Sequence, residues 1–330
     1  MIVLRRAALI AAATLVCAIG LASQPAWSQA YPDRTIRLIV PFAAGGNADI
    51  NGRVVGDILQ RALGQPVVVE NRAGAGGGVG AEVAARAAPD GYTLLVGSNG
   101  PLTVNPFVNA NVTYDPLNDF APVAMISYVP HVLIVSNKLG VTSISDLIAL
   151  SKKRAVPLAT SGFGSATHMT VERFKQATGA DIAHVPYKSG GSLLPDVIGG
   201  NIDGAMTELS TAVELHKGGQ ARILAVASAG RSKLAPDIPT FDEQGVKGFQ
   251  ARSFIGILAP GKTPREIVSK LQAAIAAGLA PGSAAAEKLA ATGSEIATAE
   301  QMTPDGFAAF VKRDFEDMRA AATAAGISKK

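Results

Sequence analysis

Cysteine is almost missing from this chain: Cys17 is the one example in 330 residues. A disulfide framework and cysteine-ligated metal sites are thereby excluded, so the apolar core alone must hold the fold. Tryptophan is as scarce, with Trp27 alone. Charged residues make up only 17% of the chain. Its Lys and Arg residues are scattered, with no basic stripe for nucleic acid, despite a sequence pI near 9.2. The four histidines, His131, His168, His184 and His216, lack metal-ligand spacing. No G-x-S-x-G elbow supplies a serine nucleophile. His168 follows Ser165 by three residues, which at a helix start reads as capping and packing. These absences predict a protein that is not an enzyme and carries no cofactor or metal.

What is present begins with an export pattern. Arg5 and Arg6 precede an apolar run, Ala7 to Leu21, and no acidic residue occurs before Asp33. Small residues at Ser28 and Ala30 give a cleavage site, with the mature chain starting at Tyr31. The paired arginines fit a folded-export signal weakly, and Val16 before Cys17 does not suit a lipid anchor. Residues 1–30 are therefore expected to be a signal peptide and the protein periplasmic. Their loss removes Cys17 and Trp27 and takes the net charge from +4 to +2. No later apolar run approaches the ~20 residues of a membrane helix.

From Thr35 onward, short β-rich runs alternate with helical patterns. Ile36–Pro41, Val67–Glu70, Thr93–Gly97, Val132–Val135, Leu158–Ser161, Asp181–Val185, Gly204–Thr207, Ile223–Ala227 and Phe254–Leu258 read as strands. Their nearly continuous apolar character suits strands covered on both faces. Helices are predicted over Asp49–Leu63, Ser143–Lys153, Thr263–Leu279 and Thr303–Ala324, the last two with Pro264 and Pro304 at the first position. The alternation predicts an α/β protein with mostly parallel sheets. Two domains are expected, residues 31–129 with 253–330, and residues 130–252, joined by two crossings that would hinge.

Two glycine motifs invite nucleotide readings that their context opposes. Gly256 to Thr263 fits G-x-x-x-x-G-K-[ST], but its middle residues read as the end of a buried strand, and Pro260 and Pro264 remove amide donors. Gly76 to Ala81 fits G-x-G-x-x-A, yet no acidic residue ends the next strand, so a close strand–helix approach is the better reading. Two other segments are more informative. Val40 to Asp49 and Thr160 to His168 each lead from a strand through a glycine turn into a helix start. The first N–H groups of a helix lack intrahelical partners and sit at its positive end, so each turn is a receptor for an anion.

These same segments carry a resemblance. The chain resembles the Bug family of periplasmic solute receptors, the binding-protein component of tripartite tricarboxylate transporters. The likeness runs from Tyr31-Pro-Asp-Arg-Thr-Ile-Arg-Leu-Ile-Val-Pro-Phe42 and the Gly45-Gly46-x-x-Asp49 turn through Gly64 to Arg72, Ala88 to Leu95, Tyr114-Asp-Pro116 and Asp119 to Val123. It continues through Gly164-Ser-x-x-His168, His184-Val-Pro-Tyr-Lys188 and Leu258-Ala-Pro260. The resemblance implies a two-lobed, type II-like binding protein that closes on its ligand. It implies that Phe42, Ala43, Gly46, Asn47, Ala48 and Asp49 on one side, and Ser161, Gly164, Ser165, Ala166, Thr167 and His168 on the other, grip one carboxylate of a small organic acid. A two-subunit membrane transporter would be the partner, and the receptor a monomer. A periplasmic sensor subunit would use the same cleft.

Three departures limit what carries over. Ala48 stands where the family often has Thr or Ser, and Phe254 where Trp is common. Thr207 and Glu208 replace an aspartate and an asparagine. Ser98 and Asn99 are expected to read the far end of the ligand. Glu208 is either a solvated or capping residue or a partner for an amine or hydroxyl on the ligand.

Overall fold

The computed structural model describes residues 31–324 and Lys329; the export-signal expectation for residues 1–30 lies outside them. Strands β1 (Ile36–Val40), β2 (Val67–Asn71) and β3 (Thr93–Ser98) alternate with helices α1 (Asn47–Leu63) and α2 (Gly78–Ala85). A π-helical turn and the short α3 (Asn105–Val108) lead to a long β4 (Phe120–Ser136). Then follow α4 (Ile144–Ser151), β5 (Val156–Thr160), α5 (Ala166–Thr178), β6 (Ile182–Pro186), α6 (Gly190–Gly199), β7 (Gly204–Glu208), α7 (Leu209–Lys217) and β8 (Ala221–Val226). The chain returns through β9 (Arg252–Pro260), α8 (Arg265–Gly278), α9 (Ala284–Ala290), β10 (Glu295–Ile296) and α10 (Pro304–Ala324).

The strands join in the order β2-β1-β3-β9-β4-β7-β5-β6, with β8 and β10 also pairing β4. In the first half β1 is parallel to β2 and β3, and in the second β5 is parallel to β6 and β7. The sheet is mixed because β9 runs antiparallel to β3 and β4, and β4 antiparallel to β7 and β8. Strand β4 changes partner along its length. Phe120 to Pro130 pairs β9, and His131 to Ser136 pairs β7 and β8. Sequence reading found only Val132–Val135 of this strand, because Pro122 and Pro130 lack the donors a ladder uses. A register shift beside Pro122 accommodates the first, and the second sits at the change of partner.

Alternation across the sheet explains the unbroken apolar runs. Leu133 and Val135 pack into a cluster with Leu158, Phe174 and Phe241. Val132 and Ile134 point the other way, into a cluster with Leu193, Val213 and Ile223. Both faces are covered there, so Val132 to Val135 run apolar without a polar residue between them. Gly256 to Pro260 of the phosphate-loop match is buried in β9, as read. In the other glycine motif, a Cβ on Gly80 would lie 2.7 Å from the Cα of Pro41, so the bare residue permits the close approach of α2 to the end of β1. Helix α8 packs on α1, and α10 on β4.

Helix boundaries follow local chemistry. Ser165 and Ser189 cap α5 and α6 by accepting N–H bonds from His168 and Ser192, and Ser192 completes a capping box. Gly64, Gly179 and Gly200 end α1, α5 and α6 in the left-handed conformation. Helix α6 escapes sequence reading because Gly190, Gly191 and Pro195 blur its period.

Candidate functional site

The carboxyl ends of β1, β3, β5 and β7, and the turn after β6, open on one crevice. A small cavity lies there. Its wall takes Phe42, Gly46, Asn47, Ala48 and Ser98 from the first half, and Ser161, Ser165, Ala166 and Glu208 from the second, all predicted from sequence. Gly100, next to Ser98 and Asn99 in the segment expected to read the far end of the ligand, also lines it, and Ser189, Gly190, Ser253 and Ile255, which were not foreseen, join it. Ser189 had a signal, a second serine three residues on before an apolar run. Ser253 had none, since only the pairing of β9 with β4 brings it inward.

Three helix N-termini meet at this wall. Helix α1 begins after Gly46 with no side-chain cap, so its leading amides are open to an incoming group. Helices α5 and α6 begin at Ala166 and Gly190, their third amides taken by Ser165 and Ser189. Hydroxyls of Ser98, Ser161, Ser165, Ser189 and Ser253 surround them, and among the described residues no Lys, Arg or His lines the wall. Partial positive charge comes from backbone alone.

The other predicted residues do structural work around this wall. Asp49 is buried and accepts bonds from Gly45 N–H at 3.0 Å, Asn71 Nδ2 at 2.9 Å, and Arg53 through both of its oxygens. Burial alone would raise its pKa; the bonds from Arg53, Gly45 and Asn71 outweigh it and hold the carboxyl below its usual value. It shapes the turn instead of lining the cavity. The Ala43 N–H donates to the carbonyl of Lys188 at 3.1 Å, so that amide joins the two rims. Thr167 is fully buried, and its hydroxyl accepts from Ser161 N–H at 3.0 Å. Gly164 N–H donates to His168 Nδ1 at 3.3 Å. The His168 ring stacks on His184 at 4.2 Å, and burial, then the His184 charge, pushes its pKa down to about 4. A neutral ring of this kind locks the turn.

Asn99 departs from expectation. Its Oδ1 accepts from Phe254 N–H at 2.9 Å and its Nδ2 donates to Asp314 at 3.1 Å, tying β3 to β9 and α10 and turning the side chain away from the cavity. Phe254 itself packs edge-on against Phe307 and Phe310. Glu208 is neither solvated nor a capping side chain: it is 8% exposed and makes no cap bond to α7. Burial raises its pKa. Thr207, fully buried beside it, donates to Glu208 Oε2 at 3.3 Å.

The two rims touch directly. Ser210 Oγ donates to Asn47 Oδ1 at 3.1 Å, and Ser253 Oγ to Glu208 Oε1 at 3.2 Å. A Cβ on Gly76 would lie 2.5 Å from the carbonyl oxygen of Phe163. Bare glycine there lets the loop before α2 press against the loop before α5.

Residues 52–314 match the model of the tripartite tricarboxylate transporter family receptor. The chain is 38% identical over 295 residues to Protein BugT of Bordetella pertussis, covering 88% of this chain and 89% of that one. Among solved structures it is similar to R. palustris Rpa4515 with adipate, at 34% identity and a TM-score of 0.86, covering 91% of this chain and 100% of that one. It is similar also to MatC from Rhodopseudomonas palustris with bound malate, at 31% identity and a TM-score of 0.83, covering 87% and 98%. An α/β fold with amide-lined turns at its strand ends thus accompanies a match over most of the sequence, and the chain belongs to the tripartite tricarboxylate transporter receptor family.

Proposed function

We propose that this protein is a periplasmic receptor that captures a small organic acid between two lobes and delivers it, unchanged, to a two-subunit membrane transporter. The lobes are residues 31–129 with 253–330, and residues 130–252. Residues 1–30 direct export, and the receptor works as a monomer. The observation that carries this reading is the convergence of three helix N-termini on one cavity walled by serine hydroxyls and, among the described residues, free of cationic side chains. Such a wall suits a carboxylate, which accepts several N–H and O–H bonds at once. Bonds to a charged group contribute roughly 1.5–3 kcal/mol each. Three or four, less the cost of closing and ordering, reach the roughly −8 kcal/mol of micromolar binding. Relatives solved with adipate and with malate support the same ligand class.

The ligand-contacting set proposed is Phe42, Gly46, Asn47, Ala48, Ser98, Ser161, Ser165, Ala166 and Glu208, with Ser189, Gly190 and Ser253 added. Asp49, Thr167 and His168 hold the turns in shape. A thermal-shift screen against a library of carboxylic acids and neutral isosteres tests the reading. Melting temperature is expected to rise with acid concentration, as linkage requires. A response to neutral compounds alone contradicts it.

A further inference from the structure

Among the described residues Glu208 is the one charged side chain on the cavity wall, and carboxylate capture at the glycine turns does not use it. Its oxygens receive the hydroxyls of Ser253 at 3.2 Å and Thr207 at 3.3 Å and the N–H of Glu208 itself, all of them neutral donors. No charged group figures among the influences on its titration, which burial dominates. Behind Ser253 stands His131, whose Nε2 lies 2.8 Å from the serine hydroxyl and whose Nδ1 lies 2.8 Å from Thr170. Burial, then the charge of Arg173, lowers the His131 pKa to about 3, so this ring is neutral and offers no countercharge. Positive field comes from the start of α7, which Glu208 directly precedes, and from the start of α6. A Cβ on Gly190 would lie 2.6 Å from Thr207 Oγ1 and 3.1 Å from Glu208 Oε2, so bare glycine lets both side chains pack against that helix end.

A buried carboxylate without a cation is costly. Here it faces a cavity, across from turns suited to an anion, so a charged partner can arrive with the ligand. We infer that Glu208 reads a protonated nitrogen, and that the site takes a zwitterion whose carboxylate lies on the glycine turns and whose ammonium group meets Glu208. The inference rests on the carboxylate-receptor reading and narrows it. A second carboxylate in the same place would meet like charge in a water-poor space.

Isothermal titration against matched pairs tests this: 3-aminopropanoate with succinate, 4-aminobutyrate with glutarate, and 5-aminopentanoate with adipate. Each pair shares a methylene spacer and differs in one terminal group. The unmodified protein is expected to bind the amino acid of the best-fitting pair at least about tenfold tighter, the lower end of what a bond to a charged group supplies. Glu208→Gln is expected to abolish that preference, and a urea midpoint at or above that of the unmodified protein shows that the variant folds. Preference for the diacid, an unchanged ratio in Glu208→Gln, or binding of monocarboxylates with neither member of any pair overturns the zwitterion inference and leaves carboxylate capture standing. Indifference to every acid overturns both.

Discussion

Asp49 shows how one side chain can matter to a site that it does not line. Its oxygens gather Gly45 N–H, Asn71 and Arg53, fixing the turn that presents the first amides of α1. Asp49→Asn is expected to cost about 1.5–3 kcal/mol of stability, the range for hydrogen bonds to a charged group, read as a lower urea midpoint near neutral pH. Because the folded-state pKa is depressed, the contribution is fully present above about pH 4, the ordinary aspartate value. It is lost as pH falls through the lower folded-state value. The difference between the two proteins should therefore vanish in acid, and a constant difference down to pH 2 would contradict this assignment. Asp49 was legible in sequence as part of the turn, but as a ligand contact. Its use in holding Gly45 required knowing that Arg53 and Asn71 converge on it, and Asn71 arrives from another strand.

At the scale of elements, the site is made where strands end and helices begin. Glycine turns after β1 and β5 were readable, because the strand-to-helix change and the glycines are local. The loop before α2 was readable only as a close strand–helix approach, which Gly80 fulfils. Gly76 adds a second close approach, between loops from the two halves of the sheet, that no local pattern announces. Its φ of +58° is also one that L side chains rarely adopt. Gly76→Ala is expected to weaken ligand binding at least about tenfold, while lowering stability by only about 1 kcal/mol, the usual scale of strain at such a φ. Titration calorimetry beside urea unfolding separates the two effects. Undiminished affinity would show that the loops need not meet. The sequence also missed most of β4, since prolines at 122 and 130 silence a pattern that β9 restores through pairing.

Over the whole molecule, two long strands carry the chain across the boundary between the sheet halves: β4 changes partner after Pro130, and β9 begins at Arg252. If these crossings act as the hinge of two lobes, a saturating ligand should shrink the radius of gyration seen by small-angle X-ray scattering, and Gly76→Ala should shrink less. An unchanged radius would contradict the two-lobe reading. Sequence by itself determined the alternation of strands and helices, the two-faced burial of the strands and the two glycine turns that lead into helix starts. Each of these is written in neighbouring residues, through periodicity, glycine and helix-start chemistry. Only the tertiary structure decided that a third helix start, Ser189 and Gly190, joins them, that Asn99 turns away, and that Ser253 reaches Glu208. Those outcomes depend on which strands lie side by side, and pairing between residues 45 or more positions apart leaves no local trace.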